Sequence, residues 1–268
     1  MRGFSPRNLK YMRAFAAAWP DRAIVQRVVA RLPWRQNIAL IERLSDVKTR
    51  LWYARESLRN GWSQPTLSLQ IESRAHERHG KALSNFKELL PPAQSDMAGQ
   101  IFKDPYLFDF LGTADPHRER EVEQTLVDHI QRFLLELGTG FAFVGRQVHL
   151  EIGDDDFYVD LLFYHLKLRC YVVIELKAVP FKPEFLGKLN MYLSAVDDLL
   201  RHPEDKPTIG LLLVKEKKKL VVEYALRGVQ KPIGVAHWET KIVESLPADL
   251  KGVLPTVEEL EKELENGE

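Results

Sequence analysis

The chain has 268 residues, 45% of them hydrophobic, with 38 basic and 38 acidic side chains, enough to bury the core of one large domain or two smaller ones. Its single cysteine, Cys170, excludes an internal disulfide and a zinc site built on several thiolates, and its apolar setting predicts a buried structural role in a reducing cytoplasm. No stretch approaches the roughly 20 continuous apolar residues of a membrane-spanning helix, and no apolar signal region follows the basic start, so a cytoplasmic protein with no membrane partner is expected.

The zero net charge hides an asymmetry. Residues 1–100 hold 17 Lys and Arg against 8 Asp and Glu, a net of +9, whereas residues 101–268 hold 21 against 30, a net of −9. A basic half joined to an acidic half predicts an anion-binding module beside a domain that concentrates carboxylates.

Ser5-Pro6 is a helix start, since the serine can cap a free amide and proline is tolerated in the first turn. Leu9, Met12, Phe15 and Ala16 continue at helical spacing until Trp19-Pro20. A second helix is expected from Asn37 to Arg59, stopped by Asn60-Gly61, and a third from Ser63 to Gly80. The segment Leu90–Gly112 reads as a linker, although Tyr106, Leu107, Phe108, Phe110 and Leu111 are too apolar to remain in water and should dock on a domain.

From Pro116 one long helix is predicted to Leu137, then strands at Phe141–Ile152, Phe157–Tyr164 and Arg169–Lys177. A helix at Pro183–Leu200, strands at Thr208–Val214 and Ile233–Trp238, and an acidic helix opening at Leu254-Pro255-Thr256 complete the pattern. This order predicts an α+β or mixed α/β chain: a helical domain over 1–112, then a domain over 113–268 with a central mixed sheet flanked by helices.

Strand Tyr171–Lys177 is apolar until Glu175 and Lys177, which lie two apart and so project from one face. Charges on a central apolar strand are costly unless paired or used. Asp160 interrupts the equally apolar run Phe157–Phe163, and a hairpin between the two strands can set it beside Glu175. Two carboxylates and an ammonium in one patch suit a hard divalent cation, which takes oxygen ligands and completes its shell with water and phosphate. Glu123 shares a helical face with Leu126, Val127 and Ile130, so it either points at that patch or is one of the acids favoured near a helix N-terminus, with Glu119 and Glu121.

Other groups suit blander roles. Asp154-Asp155-Asp156 reads as a polar turn, His149 and His165 as scaffold or surface, and Lys215-Glu216-Lys217-Lys218-Lys219 as a solvated turn. Trp34, Trp52 and Trp62 read as core packing before base stacking. Arg74, Arg78 and Lys81, at i, i+4 and i+7, form a candidate positive stripe for a phosphate backbone.

Beyond these local patterns the chain resembles the YhcG-type PD-(D/E)xK nuclease family of bacteria, whose members carry an N-terminal domain of unknown function. The resemblance is carried by GFSPRNLKYMRAF, LPWRQNIALIERL, LWYARESLRNGW, LQIESRAHERHGKALSNF and KDPYLFDFLG, then by VEQTLVDHIQRFLLELGTGFAFVGRQ, FYVDLLFYH, YVVIELKA, GKLNMYL and PTIGLLLVK. It implies a restriction-endonuclease-like core in which Asp160, Glu175 and the backbone carbonyl of Leu176 hold Mg²⁺ or Mn²⁺. Lys177 then orients the attacking water, and Glu123 is the helix acid. It also implies that Met1 stands part-way into the family's first domain. The expected activity is phosphodiester hydrolysis, with DNA as the expected partner, and a homo-oligomer is compatible with the sequence. Two competing readings stand beside it: a catalytically idle nuclease fold that binds nucleic acid or a partner, and an RNA-directed nuclease.

Overall fold

The computed structural model describes residues 5–108 and 119–240, and the chain divides into two compact units between His76 and Glu77. The segment 77–108, expected with the helical domain, therefore belongs to the same unit as the sheet. Phe110, Leu111 and the acidic helix at Leu254 lie outside the described residues.

The first unit is helical: α1 (Pro6–Ala18), α2 (Arg22–Arg27), α3 (Trp34–Arg43), α4 (Val47–Asn60) and α5 (Gln64–Glu72), with α6 (Ala75–Arg78) straddling the division. Side-chain oxygens start four of these helices: Ser5 accepts from the Asn8 amide, Asp21 from Ala23, Asp46 from Thr49 at 2.7 Å, and Ser63 from Thr66. The single helix expected over 37–59 is two, because Leu44 turns extended and Asp46 caps a new start. Arg50 fastens this corner from inside, donating to the carbonyls of Leu44 (2.9 Å), Ser45 (3.1 Å) and Ala18 (2.6 Å). The helix expected over 63–80 also breaks: α5 ends at Glu72, and Arg74 takes a left-handed φ of +49° before α6.

Leu32, Leu40, Tyr53, Ala54, Leu67, Ile71 and Ala75 form the core of this unit, with Trp52 and Trp62 packed against it. The Tyr53 hydroxyl reaches the Gln70 carbonyl at 3.0 Å, and the Trp34 indole donates to Asn8 at 2.8 Å. These tryptophans serve packing rather than an open stacking platform.

The second unit is built on a seven-stranded mixed sheet. Its strands are β1 (Leu83–Ser84), β2 (Tyr106–Leu107), β3 (Phe141–Ile152), β4 (Asp155–His165), β5 (Cys170–Leu176), β6 (Ile209–Val214) and β7 (Ile233–Glu239). The order runs β1-β7-β6-β5-β4-β3, with β2 also against β7. The chain β3-β4-β5 is antiparallel, turned at Gly153 with a φ of +66° that glycine adopts without steric cost. Strands β5, β6 and β7 are parallel, which requires the crossover helices α11 (Phe185–Leu199) and α12 (Lys219–Leu226). Helix α12 begins inside the run expected as a solvated lysine turn.

Helices α7 (Phe86–Leu89), α8 (Pro92–Ile101), α9 (Glu119–Asp128) and α10 (Ile130–Leu137) complete the unit. The long helix expected over 116–137 is thus interrupted at His129. Phe86, Ala98, Leu126 and Phe133 pack with Phe163, Val172, Ile174 and Leu176 on one face of the sheet. Leu186, Leu189, Leu193 and Val222 pack with Leu162, Val173 and Leu212 on the other. The linker aromatics Tyr106 and Phe108 are buried, Phe108 lying 5.5 Å from Phe133 and 5.8 Å from Trp238 between ring centres. Cys170 is buried and free, and burial pushes its thiol up to about 12. Among the described residues, no helix is long and apolar enough to cross a membrane.

One buried ionic group ties 77–108 to α10. Glu136 pairs with Arg78 and with Lys103, and it accepts from the Leu107 amide at 2.9 Å. Burial lowers Lys103 to about 8, and Glu136 limits the drop. Removing the shared carboxylate strands two cations inside the fold. Glu136→Ala should therefore lower unfolding free energy by about 3–5 kcal/mol, read as a fall in the urea midpoint; a change within error would show that the group contributes nothing.

Candidate active site

The register of the central strands sets three polar side chains in one row. Arg146 and Val148 of β3 pair with Leu161 and Val159 of β4, which leaves Gln147 across from Asp160. The β4–β5 ladder ends at Leu161 with Ile174, and one step further the register carries Asp160 opposite Glu175. The Asp160 carboxylate accepts the Leu176 amide at 3.2 Å, past the end of that ladder. Along β5, Val172, Ile174 and Leu176 face one core, so Glu175 and Lys177 face the other with Val173, under α11.

Glu175 is fully buried, and its Oε1 receives two ammonium groups, Lys188 at 2.8 Å and Lys177 at 3.1 Å. Its Oε2 is buried with no hydrogen-bond partner. Lys177 also reaches Glu119 Oε2 at 3.1 Å, and Glu119 Oε1 accepts from the Ala178 amide. Burial opposes charge on Lys177, but Glu175 and Asp160 outweigh it and hold the ammonium above its usual range. It remains a proton donor rather than a base.

Glu123 is buried on α9, where it accepts a 2.8 Å hydrogen bond from Gln147 and faces Arg146 at 3.6 Å. Burial raises its pKa against these partners. Gln147 holds this position with a φ of +47°, a conformation that costs a non-glycine residue about 1–3 kcal/mol. Glu119, Arg120, Glu123, Gln147, Asp156, Phe157, Tyr158, Asp160, Leu176, Lys177, Lys188 and Tyr192 enclose a cleft of about 350 Å³.

The structure thus brings Glu123, Asp160, Leu176 and Lys177 to one cleft, with Glu175 fully buried and paired to the lining side chains Lys177 and Lys188. It does not assemble the stripe Arg74, Arg78 and Lys81. The helix breaks at Arg74, and Arg78 is buried and spent on Glu136. Gln147 and Lys188 escaped the sequence reading. Lys188 did leave a signal, a lone cation at i+3 from Phe185 and i+4 to Tyr192 on an apolar helix face. Gln147 left none, since its role depends on strand register and an unusual φ.

A divalent cation fits the donor set. Asp160 and Glu175 are hard oxygen donors on adjacent strands, and a buried Glu175 oxygen lacks a partner. Among the described residues no group of three or more His, Cys, Asp or Glu side chains able to hold a metal ion gathers; a set of one or two carboxylates, completed by water and phosphate, is the kind a small hard cation takes.

Asp160 carries the electrostatic cost of this design. Burial first, and then the charge of Glu175, push its pKa up to about 7. An acid raised in the folded state supplies stability that is intact below its unfolded pKa and lost as pH rises through its folded one. In EDTA, wild-type protein should therefore lose stability between pH 5 and 8, by at most on the order of 3 kcal/mol. Asp160→Asn should flatten that loss, and equal pH slopes in urea melts of the two proteins would refute the assignment.

Two family models match the sequence: the YhcG PDDEXK nuclease domain over residues 99–255 and the DUF1016 N-terminal domain over residues 1–78. "Putative nuclease YhcG" of Escherichia coli (strain K12) is 32% identical over 274 residues, spanning 90% of this chain and 72% of that protein. Among solved structures, a repair endonuclease from Pyrococcus abyssi aligns with a TM-score of 0.32 and 15% identity, over 48% of this chain and 49% of its own. An EndoMS–dsDNA complex aligns with a TM-score of 0.31 and 16% identity, over 49% and 47%. Each structural match thus spans about half of either chain. By its nuclease-domain match and its identity with YhcG, the chain belongs to the YhcG PDDEXK nuclease family.

Proposed function

We propose that this protein is a cytoplasmic, metal-dependent nuclease that hydrolyses phosphodiester bonds in DNA. The observation that carries the reading is the pair Asp160 and Glu175, two carboxylates on adjacent strands, the first lining the cleft and the second buried with an oxygen that no protein group satisfies. Asp160, Glu175 and the Leu176 carbonyl would hold Mg²⁺ or Mn²⁺. Such an ion, when bound, polarises a phosphoryl oxygen and acidifies water.

The chain's own residues supply the rest. Lys177, held charged between Glu175 and Glu119, donates a hydrogen bond that places the attacking water and offsets charge developing on the phosphate. Glu123 is the helix acid of the site, and Gln147 fixes its orientation by the 2.8 Å bond across from Asp160. The basic side chains of Arg120 and Lys188 line the same cleft, where a polyanion would enter. The positive charge of the N-terminal hundred residues supports a role for that region in holding the strand. DNA as the polymer rests on the family resemblance.

Purified protein should cut labelled DNA when Mg²⁺ or Mn²⁺ is added and not in EDTA. Asp160→Ala and Lys177→Ala should each reduce cutting by at least about 10²-fold while circular dichroism stays that of the wild type. Single-stranded, duplex and branched DNA run beside RNA would name the substrate. Cutting of RNA alone would replace DNA as the substrate, and binding without cutting on every polymer would make the cleft a nucleic-acid-binding site. Gln147→Ala frees Glu123 without removing a carboxylate, and a smaller loss of about tenfold is expected from the misplaced acid. Wild-type rates in that variant would remove Glu123 from the mechanism.

A further inference from the structure

Lys188 is an exposed cation on a helix face otherwise given to packing. Its neighbours Leu186, Leu189, Tyr192 and Leu193 are buried, yet its ammonium turns to the cleft, 2.8 Å from Glu175 Oε1 and 5.0 Å from the centre of the Tyr192 ring. Lys177 sits on the same Glu175 oxygen at 3.1 Å, so one oxygen carries two ammonium groups while Oε2 carries none.

The two lysines are not equivalent. The Lys177 side chain is 14% exposed and is also held by Glu119, whereas that of Lys188 is 45% exposed and approaches from a helix across the cleft. Asp160, Glu175, Lys177 and Lys188 together sum to zero formal charge. A divalent cation arriving at the two carboxylates adds two positive charges beside an ammonium already seated on Glu175 Oε1, and the two repel. Lys188 is the one free to leave, because it has the longer exposed stem and no second carboxylate in its ion pair. A lysine is a compact point charge on a flexible chain, suited to a phosphate oxygen within reach.

We propose that Lys188 is the resting counter-ion of Glu175, holding the cation's place until it is displaced, and that it then contacts the phosphodiester in the cleft. The inference rests on the reading of this cleft as a cation-dependent phosphodiesterase site. Lys188 neutralises a buried carboxylate in the empty site and becomes a substrate-binding charge in the loaded one. Binding of cation and substrate would thus be coupled through a single side chain.

The test is Mn²⁺ binding to the full chain without nucleic acid, followed by electron paramagnetic resonance, for wild type, Lys188→Gln, Lys188→Met and Asp160→Asn. Both neutral Lys188 variants should bind Mn²⁺ on the order of tenfold more tightly than wild type, and Asp160→Asn should bind it weakly. A second arm measures affinity for duplex DNA in Ca²⁺ across a salt series. There the same variants should bind more weakly, with a log–log slope shallower by about 0.9, the contribution of one phosphate.

Unchanged or weaker Mn²⁺ binding in both neutral variants, with wild type binding and Asp160→Asn not, would make Lys188 a brace of Glu175 and overturn the proposal. Tighter Mn²⁺ binding with an unchanged salt slope would overturn the phosphate contact. Failure of wild type and both Lys188 variants to bind Mn²⁺ would instead remove the cation-dependent reading of the cleft, and this inference with it.

Discussion

Burial of Glu175 in the middle of the sheet is the constraint on which the site depends. A carboxylate in an apolar strand is tolerable only when compensated, and two lysines on one of its oxygens supply that compensation. The compensation is incomplete. Its second oxygen lacks a partner, and Asp160 beside it is pushed toward the protonated state. A fold selected for stability alone would gain by replacing either acid with an apolar side chain. The electrostatic cost of the two acids is therefore concentrated on neighbouring strands, close to the third acid Glu123.

The arrangement is rigid on the strand side and adjustable on the helix side. Glu175 is fixed by the ladder to Leu212, and Asp160, just past the end of the β4–β5 ladder, by the Leu176 amide at 3.2 Å. Glu123 and Glu119 come from α9 and reach the row through Gln147, Lys177 and the Ala178 amide. Lys188 comes from α11 on the opposite side of the cleft. The strands therefore hold the carboxylates still, and longer side chains from two helices close on them, the division of labour a precisely placed site requires.

Residues 77–108 of the second unit secure the β7 side of the sheet. The Arg78–Lys103–Glu136 group and the aromatics Tyr106 and Phe108 fasten residues 77–108 against α10 and β7. What reads in sequence as a linker is thereby part of the nuclease unit. This consumes the cation Arg78, which local spacing had offered to a phosphate backbone. A buried ion pair outranks helical periodicity because an unpaired buried charge costs several kcal/mol, far more than a surface stripe gains.

The apolar runs of β5 and β6, long enough to require two covered faces, are legible from local sequence. So is the placing of Glu175 and Lys177 on one face, because the two-residue period of a strand is local geometry. The starts of α1 and α5 were equally local, since Ser5 and Ser63 cap amides only three residues away. Local periodicity did not reveal the breaks at Leu44, Arg74 and His129, because a helical pattern continues in phase across a corner that a distant side chain, such as Arg50, holds open. That Gln147 stands across from Asp160 and that Lys188 meets Glu175 could not be read locally. Those contacts join residues 13 or more positions apart, and their existence depends on which strands pair and which helix returns over them.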